Sequence, residues 1–122
     1  MNIFSVDTLI ISLVILFIAL RFMPVKGVKQ INTTQLKGLL KEKGLQFVDV
    51  RTQGEFGRYH IPGFKNIPLH QLSQKASTLK KDKEVVVICQ SGMRSKKASK
   101  LLKKQGFKQI TNVKGGVSTW KG

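Results

Sequence analysis

The sequence predicts an α/β domain on an open, mostly parallel sheet with helices on both faces, preceded by one apolar helix. Three observations predict it. Residues 84–89, EVVVIC, are a continuous, β-branched-rich run of the kind buried on both faces of a parallel sheet. Strand-like and helix-like patterns alternate from residue 28 to residue 122, the order that builds βαβ units. Residues 9–20, LIISLVILFIAL, hold Ser12 as their one polar side chain. A chain of 122 residues holds about one domain, and a 41% hydrophobic content supports a core and excludes a disordered tail.

The head comes first. The apolar window covers residues 3–23, a length that as a helix roughly matches a hydrocarbon core of about 30 Å. Residues 1–23 are therefore expected to form a transmembrane helix, with Asp7 near one interface and Arg21 snorkelling to the other. A cleavable signal peptide fits poorly, because no base precedes the run and Ala19-Leu20-Arg21-Phe22-Met23 is not a small-residue cleavage site. Arg21, Lys26 and Lys29 follow the segment and only Asp7 precedes it, so the positive-inside rule places the body in the cytoplasm behind a single pass of the cell membrane. A reducing compartment also suits a lone cysteine. Pro24 and Gly27 mark residues 24–27 as a linker.

The body, residues 28–122, reads as follows. Residues 28–31 are extended. Asn32, Thr33 and Thr34 are cap candidates before a helix at 35–43, which Gly44 ends. Residues 45–50 form a strand, and 52–59 one or two helical turns before His60-Ile61-Pro62-Gly63 breaks them. Residues 66–69 are a short strand that Pro68 confines near an edge. A weak helix at 71–79 precedes the central strand at 84–89. The helix at 95–105 turns Ala98, Leu101 and Leu102 inward and five lysines outward, and Gly106 ends it. A last strand at 109–113 and a turn at 117–120 complete the domain.

Charge and cysteine count narrow the function. The chain carries 22 bases and 6 acids, a net +16; residues 1–23 are neutral, so the whole excess lies in the body. Nucleic acid is not the expected partner, since aromatics are not interleaved with the bases. Attraction of the basic face to anionic lipid headgroups beside residues 3–23 fits the tether better, with a merely solvated face as the alternative. One cysteine excludes an internal disulfide and a multi-cysteine zinc site. With two histidines and so few acids, no metal centre and no cofactor are expected.

The candidate site is Cys89, the last residue of the central strand, followed by Gln90-Ser91-Gly92-Met93-Arg94-Ser95 leading into a helix. Ligands of open α/β sheets bind at strand carboxyl ends. A helix N-terminus favours an anion, Gly92 lets loop amides converge, Arg94 adds positive charge, and the Ser95 hydroxyl is a helix-cap candidate. Such surroundings favour the nucleophilic thiolate. The same position also suits a small buried core residue, and spacing alone leaves both readings open.

Residues 47–63, FVDVRTQGEFGRYHIPG, resemble the first signature of the rhodanese sulfurtransferase family. Residues 85–120, VVVICQSGMRSKKASKLLKKQGFKQITNVKGGVSTW, resemble the second, active-site loop included. With Asn66-Ile67-Pro68-Leu69 between them, the resemblance spans residues 28–122. It implies a rhodanese-like three-layer domain with a central, mostly parallel five-stranded sheet. The apolar head resembles that of a membrane-tethered single-domain subgroup.

The resemblance also implies a mechanism. Cys89 takes the outer sulfur of thiosulfate or another sulfane-sulfur donor, and a thiol or protein acceptor removes it from the persulfide. Gln90, Ser91, Gly92, Met93, Arg94 and Ser95 cradle the anionic substrate, and Arg94 supplies charge to it. The alternative is a persulfide carrier or docking module with little turnover of its own. Four residues separate Cys89 from Arg94, one fewer than in cysteine-dependent phosphatases, which points to sulfur rather than phosphorus chemistry. Many thiosulfate enzymes of the family have a base directly after the cysteine; Gln90 stands there instead, leaving the donor open. Asp49, Arg51 and Glu55 are expected in structural ion pairs and hydrogen bonds, His60 in a structural turn, His70 at the surface, and Trp120 packing the last turn.

Overall fold

The computed structural model describes residues 5–23 and 25–122. Residues 1–4 and Pro24, parts of the expected anchor and linker, lie outside the described residues. The elements run α1 (Val6–Phe22), β1 (Lys29–Ile31), α2 (Thr33–Leu39), β2 (Gln46–Asp49), α3 (Gln53–Arg58), β3 (Lys65–Asn66), α4 (Leu69–Lys75), β4 (Val85–Ile88), α5 (Met93–Lys104) and β5 (Ile110–Val113). Single 3-10 turns follow α4 at Ala76–Thr78 and β5 at Gly116–Thr119.

The five strands form one sheet in the order β1-β5-β4-β2-β3, and every pairing is parallel. β4 is central and buried at every residue, as its unbroken apolar pattern requires. Its side chains alternate between two cores. Val85, Val87 and Cys89 pack with Ala98 and Leu102 of α5 and Leu72 of α4; Val86 and Ile88 pack with Leu36 of α2, Ile61 and Phe64. Helices therefore cover both faces, giving three layers.

Several boundaries differ from expectation. α2 starts two residues earlier than residue 35 because Asn32 and Gln35 close a capping box, each side chain accepting from the other's backbone amide at 2.8 Å. The expected strand at 66–69 shrinks to Lys65–Asn66 at the sheet edge. Pro68 has no N–H to give a ladder and is instead the N-cap of α4. α5 starts at Met93 rather than at residue 95, since Gly92 takes the left-handed N-cap conformation (φ 116°). Cys89 lies one residue beyond β4, not within it.

The head also needs correction. A membrane-crossing helix over residues 1–23 is expected, but among the described residues no helix is long and apolar enough to cross a membrane. α1 has 17 residues, about 25 Å of rise against a hydrocarbon core of about 30 Å. It is capped by Ser5, ends on Arg21 and Phe22, and leaves its apolar side chains exposed from Val6 to Leu20. Val25 to Val28 then turn the chain into β1 through Gly27 at φ 78°.

Candidate active site

Cys89 leaves the carboxyl end of the central strand with its side chain on the α5 side of the sheet, 1% exposed. Its Sγ accepts a hydrogen bond from the Gly92 amide at 3.0 Å and lies 3.4 Å from Ser95 Oγ. Ser95 Oγ in turn donates to the Gly92 carbonyl at 3.1 Å. The expected role of Ser95 as a helix cap is not what the structure shows: α5 has no side-chain cap, and the hydroxyl instead links the thiol to the loop backbone. The first amides of α5 thus keep no side-chain partner, and with the helix dipole they make the loop receptive to negative charge.

The remaining loop residues spread outward. Ser91 and Met93 are exposed, and Gly92 is half-buried. The Gln90 side chain turns away from the thiol, and its Oε1 accepts from Arg51 Nη1 at 3.2 Å. Arg51 is buried and forked onto Asp49, with Nη2 to Oδ2 at 2.8 Å and Nε to both oxygens at 3.1 Å. Nη2 of Arg51 also donates to the Tyr59 carbonyl at 2.7 Å. The Asp49–Arg51 pair therefore ties the ends of β2 and α3 to the first loop residue.

Arg94, expected to supply charge to the substrate, has its guanidinium paired with Glu55, Nη1 to Oε1 at 2.6 Å and Nη2 to Oε2 at 2.9 Å. Glu55 also closes the α3 capping box with Thr52. Hydrogen bonding from Arg94 outweighs burial and, with Thr52, holds the Glu55 carboxyl at about 2, against an ordinary 4.5. The same hydrogen bonds raise Arg94. His60 stacks on Phe56, centroids 3.8 Å apart, with Nδ1 2.9 Å from the Phe56 carbonyl oxygen. His70 lies 3.3 Å from the Gln71 side chain and far from the loop in sequence.

A buried strand-end thiol, a six-residue segment from Cys89 to Arg94 and a DVR segment that grips it make one constellation. Residues 32–122 match the model of the rhodanese-like domain family. The chain belongs to that family. The putative sulfurtransferase YtwF of Bacillus subtilis is 42% identical over 96 residues, covering 78% of this chain and 92% of that protein. The putative sulfur carrier protein YrkF of the same organism is 41% identical over 81 residues, covering 66% of this chain but only 44% of YrkF. The crystal structure of a rhodanese-like domain protein from Staphylococcus aureus superposes with a TM-score of 0.71 at 34% identity, covering 77% of this chain and 92% of that one.

Two supports of this rhodanese-like site escaped the sequence reading. Beyond β5, Gly115 and Gly116 take positive φ (76° and 60°), and the following amides of Val117 and Ser118 donate to the carbonyls of Cys89 and Gln90, both at 2.9 Å. A Cβ on Gly116 would collide with the Cys89 carbonyl oxygen. The consecutive glycines after a strand were the signal. Asn66 is the second: its amide donates to the carbonyls of Asp49 at 3.0 Å and Arg51 at 2.9 Å, fixing the end of β2. The resemblance includes Asn66, but no local pattern gives it this role.

Proposed function

We propose that the chain is a sulfurtransferase that moves sulfane sulfur through a persulfide on Cys89. The observation that carries the reading is the Gly92 amide 3.0 Å from a buried Sγ at the N-terminus of α5. A donated amide and a helix dipole stabilise sulfur-centred anions without needing a mobile base. With thiosulfate as donor, the Cys89 thiolate forms a bond to the outer sulfur. The S–S bond of the donor breaks and its electron pair leaves on sulfite, giving Cys89–S–S⁻. An acceptor thiolate or cyanide then attacks the outer sulfur and restores the Cys89 thiolate. The sulfurtransferase and sulfur-carrier names of YtwF and YrkF support the same chemistry.

Intact-mass measurement after adding thiosulfate tests it. A gain of one sulfur, removed by reductant and absent in Cys89→Ser, is expected; an unmodified mass with every sulfane donor offered overturns the reading. A second reading, a carrier that hands sulfur to a partner protein with little turnover, is favoured by the pairing of Arg94 with Glu55 and of Gln90 with Arg51. Both side chains are committed to the scaffold rather than to a free donor anion. Stoichiometric loading with negligible thiosulfate:cyanide turnover selects the carrier.

The N-terminal segment, residues 3–23, is read as a membrane anchor with the rhodanese-like domain on the cytoplasmic side. Its support is the apolarity of α1 on every face and the base, Arg21, at its domain end. A helix slightly shorter than the bilayer is accommodated by local thinning and by snorkelling of flanking side chains. The lysines of α5 then face anionic headgroups. Protease added outside sealed right-side-out vesicles is expected to spare the domain; digestion from that extracellular side reverses the orientation.

A further inference from the structure

A cavity of about 390 Å³ lies beside the Cys89 loop, where the end of α1, the start of α5 and the strand pair β1–β5 meet. Its walls include Arg21, Gln30, Gly92, Lys96, Asn112 and Lys114. Three cations come from three different parts of the chain, and no acidic side chain lines it. Among the described residues the ion pairs are Asp49–Arg51 and Glu55–Arg94, so none of these three cations has an acidic partner.

Asn112 supplies the second, independent observation. It is only 6% exposed; its Nδ2 donates to Gln30 Oε1 at 3.0 Å, while its Oδ1 is buried with no hydrogen-bond partner. A buried acceptor left unpaired is costly, and such a group calls for a donor. We propose that this cavity binds a phosphate-type oxyanion that also carries a hydroxyl, either free hydrogenphosphate or the headgroup of an anionic glycerolipid. The oxyanion charge meets Arg21, Lys96, Lys114 and the N-terminus of α5; the hydroxyl donates to Asn112 Oδ1. Burial, then repulsion from Lys100 and Arg21, holds Lys96 below the ordinary lysine value, and a bound anion relieves that repulsion. Arg21 and Gln30 precede residue 32, where the family match begins. The cavity therefore joins residues outside the family match to residues within it, and it shares Gly92 with the Cys89 loop.

The test uses the full chain in phosphatidylcholine nanodiscs, with the Asn112 side-chain amide followed by NMR. Titrated inorganic phosphate is expected to move that signal saturably, with sulfate, which lacks a hydroxyl, binding more weakly. Lys114→Gln and Arg21→Gln should each weaken phosphate binding about fivefold, the effect of one charge at a solvated site, with Cys89 sulfur loading unchanged. In a second arm, phosphatidylglycerol replaces phosphatidylcholine with no phosphate added. Movement of Asn112 in that arm alone assigns the headgroup, and movement with phosphate alone assigns the free anion. An Asn112 signal unmoved in both arms, or both variants binding like the wild type, overturns the site.

Discussion

In the proposed reaction, Cys89 depends on what surrounds a few atoms. Its Sγ contacts the Gly92 amide and the Ser95 hydroxyl of α5, and the backbone of Cys89 and Gln90 is held from behind by the 3-10 turn after β5. Gly116 makes that grip possible, because its φ of 60° and its closeness to the Cys89 carbonyl exclude any side chain. Gly116→Ala should therefore displace the loop without touching the thiol. Sulfur loading is expected to fall at least tenfold (about 1.4 kcal/mol of lost stabilisation), with a measurable drop in Tm. Wild-type loading in a folded Gly116→Ala protein would show that the turn does not position the loop. Cys89 and its following loop were legible in the sequence because strand, loop and helix are contiguous there. Gly116 was not, because its partners lie 26 and 27 residues earlier in the chain.

Among the elements, α3 and α5 are joined by one link, the Glu55–Arg94 pair, whose side chains are 24% and 35% exposed. The depressed carboxyl gives the sign of its pH dependence. The stabilisation is fully present above about 4.5 and is lost as pH falls towards about 2, where Glu55 becomes protonated in the folded protein. Solvent screening trims its size to roughly 1 kcal/mol. Glu55→Gln is expected to cost that amount in urea unfolding at neutral pH and almost nothing near the acid end of the window. A cost that stays constant across the window would mean the charge is not the stabilising feature. The sequence reading placed Glu55 in a structural network but gave Arg94 to the substrate. A separation of 39 residues hides such a pair from any local pattern. The capping box of α2 was closer to view: Asn32 stood among the cap candidates, yet the helix was expected to start later, at residue 35.

For the molecule as a whole, net charge dominates. A charge of +16 with two ion pairs among the described residues leaves the folded body under self-repulsion. Raising KCl from about 0.01 M to about 0.1 M shortens the Debye length from about 30 Å to about 10 Å, so the urea midpoint should rise over that range. A flat or falling midpoint would mean that the lysines are spaced widely enough not to repel.

Architecture and the position of the candidate cysteine were readable from order and periodicity: alternating elements, one strand apolar without interruption, a short edge strand, and a cysteine where that buried strand gives way to a helix. These are local signals, since a β-branched run or a capping residue acts on neighbours a few positions away. Folding settled the rest: the wholly parallel pairing, the pairing of Arg94 with Glu55, the glycine turn behind Cys89, and the cavity that gathers Arg21, Lys96, Asn112 and Lys114. Each depends on side chains distant in the chain meeting in space, and that meeting is set by how the two cores pack against the sheet rather than by any spacing along the backbone.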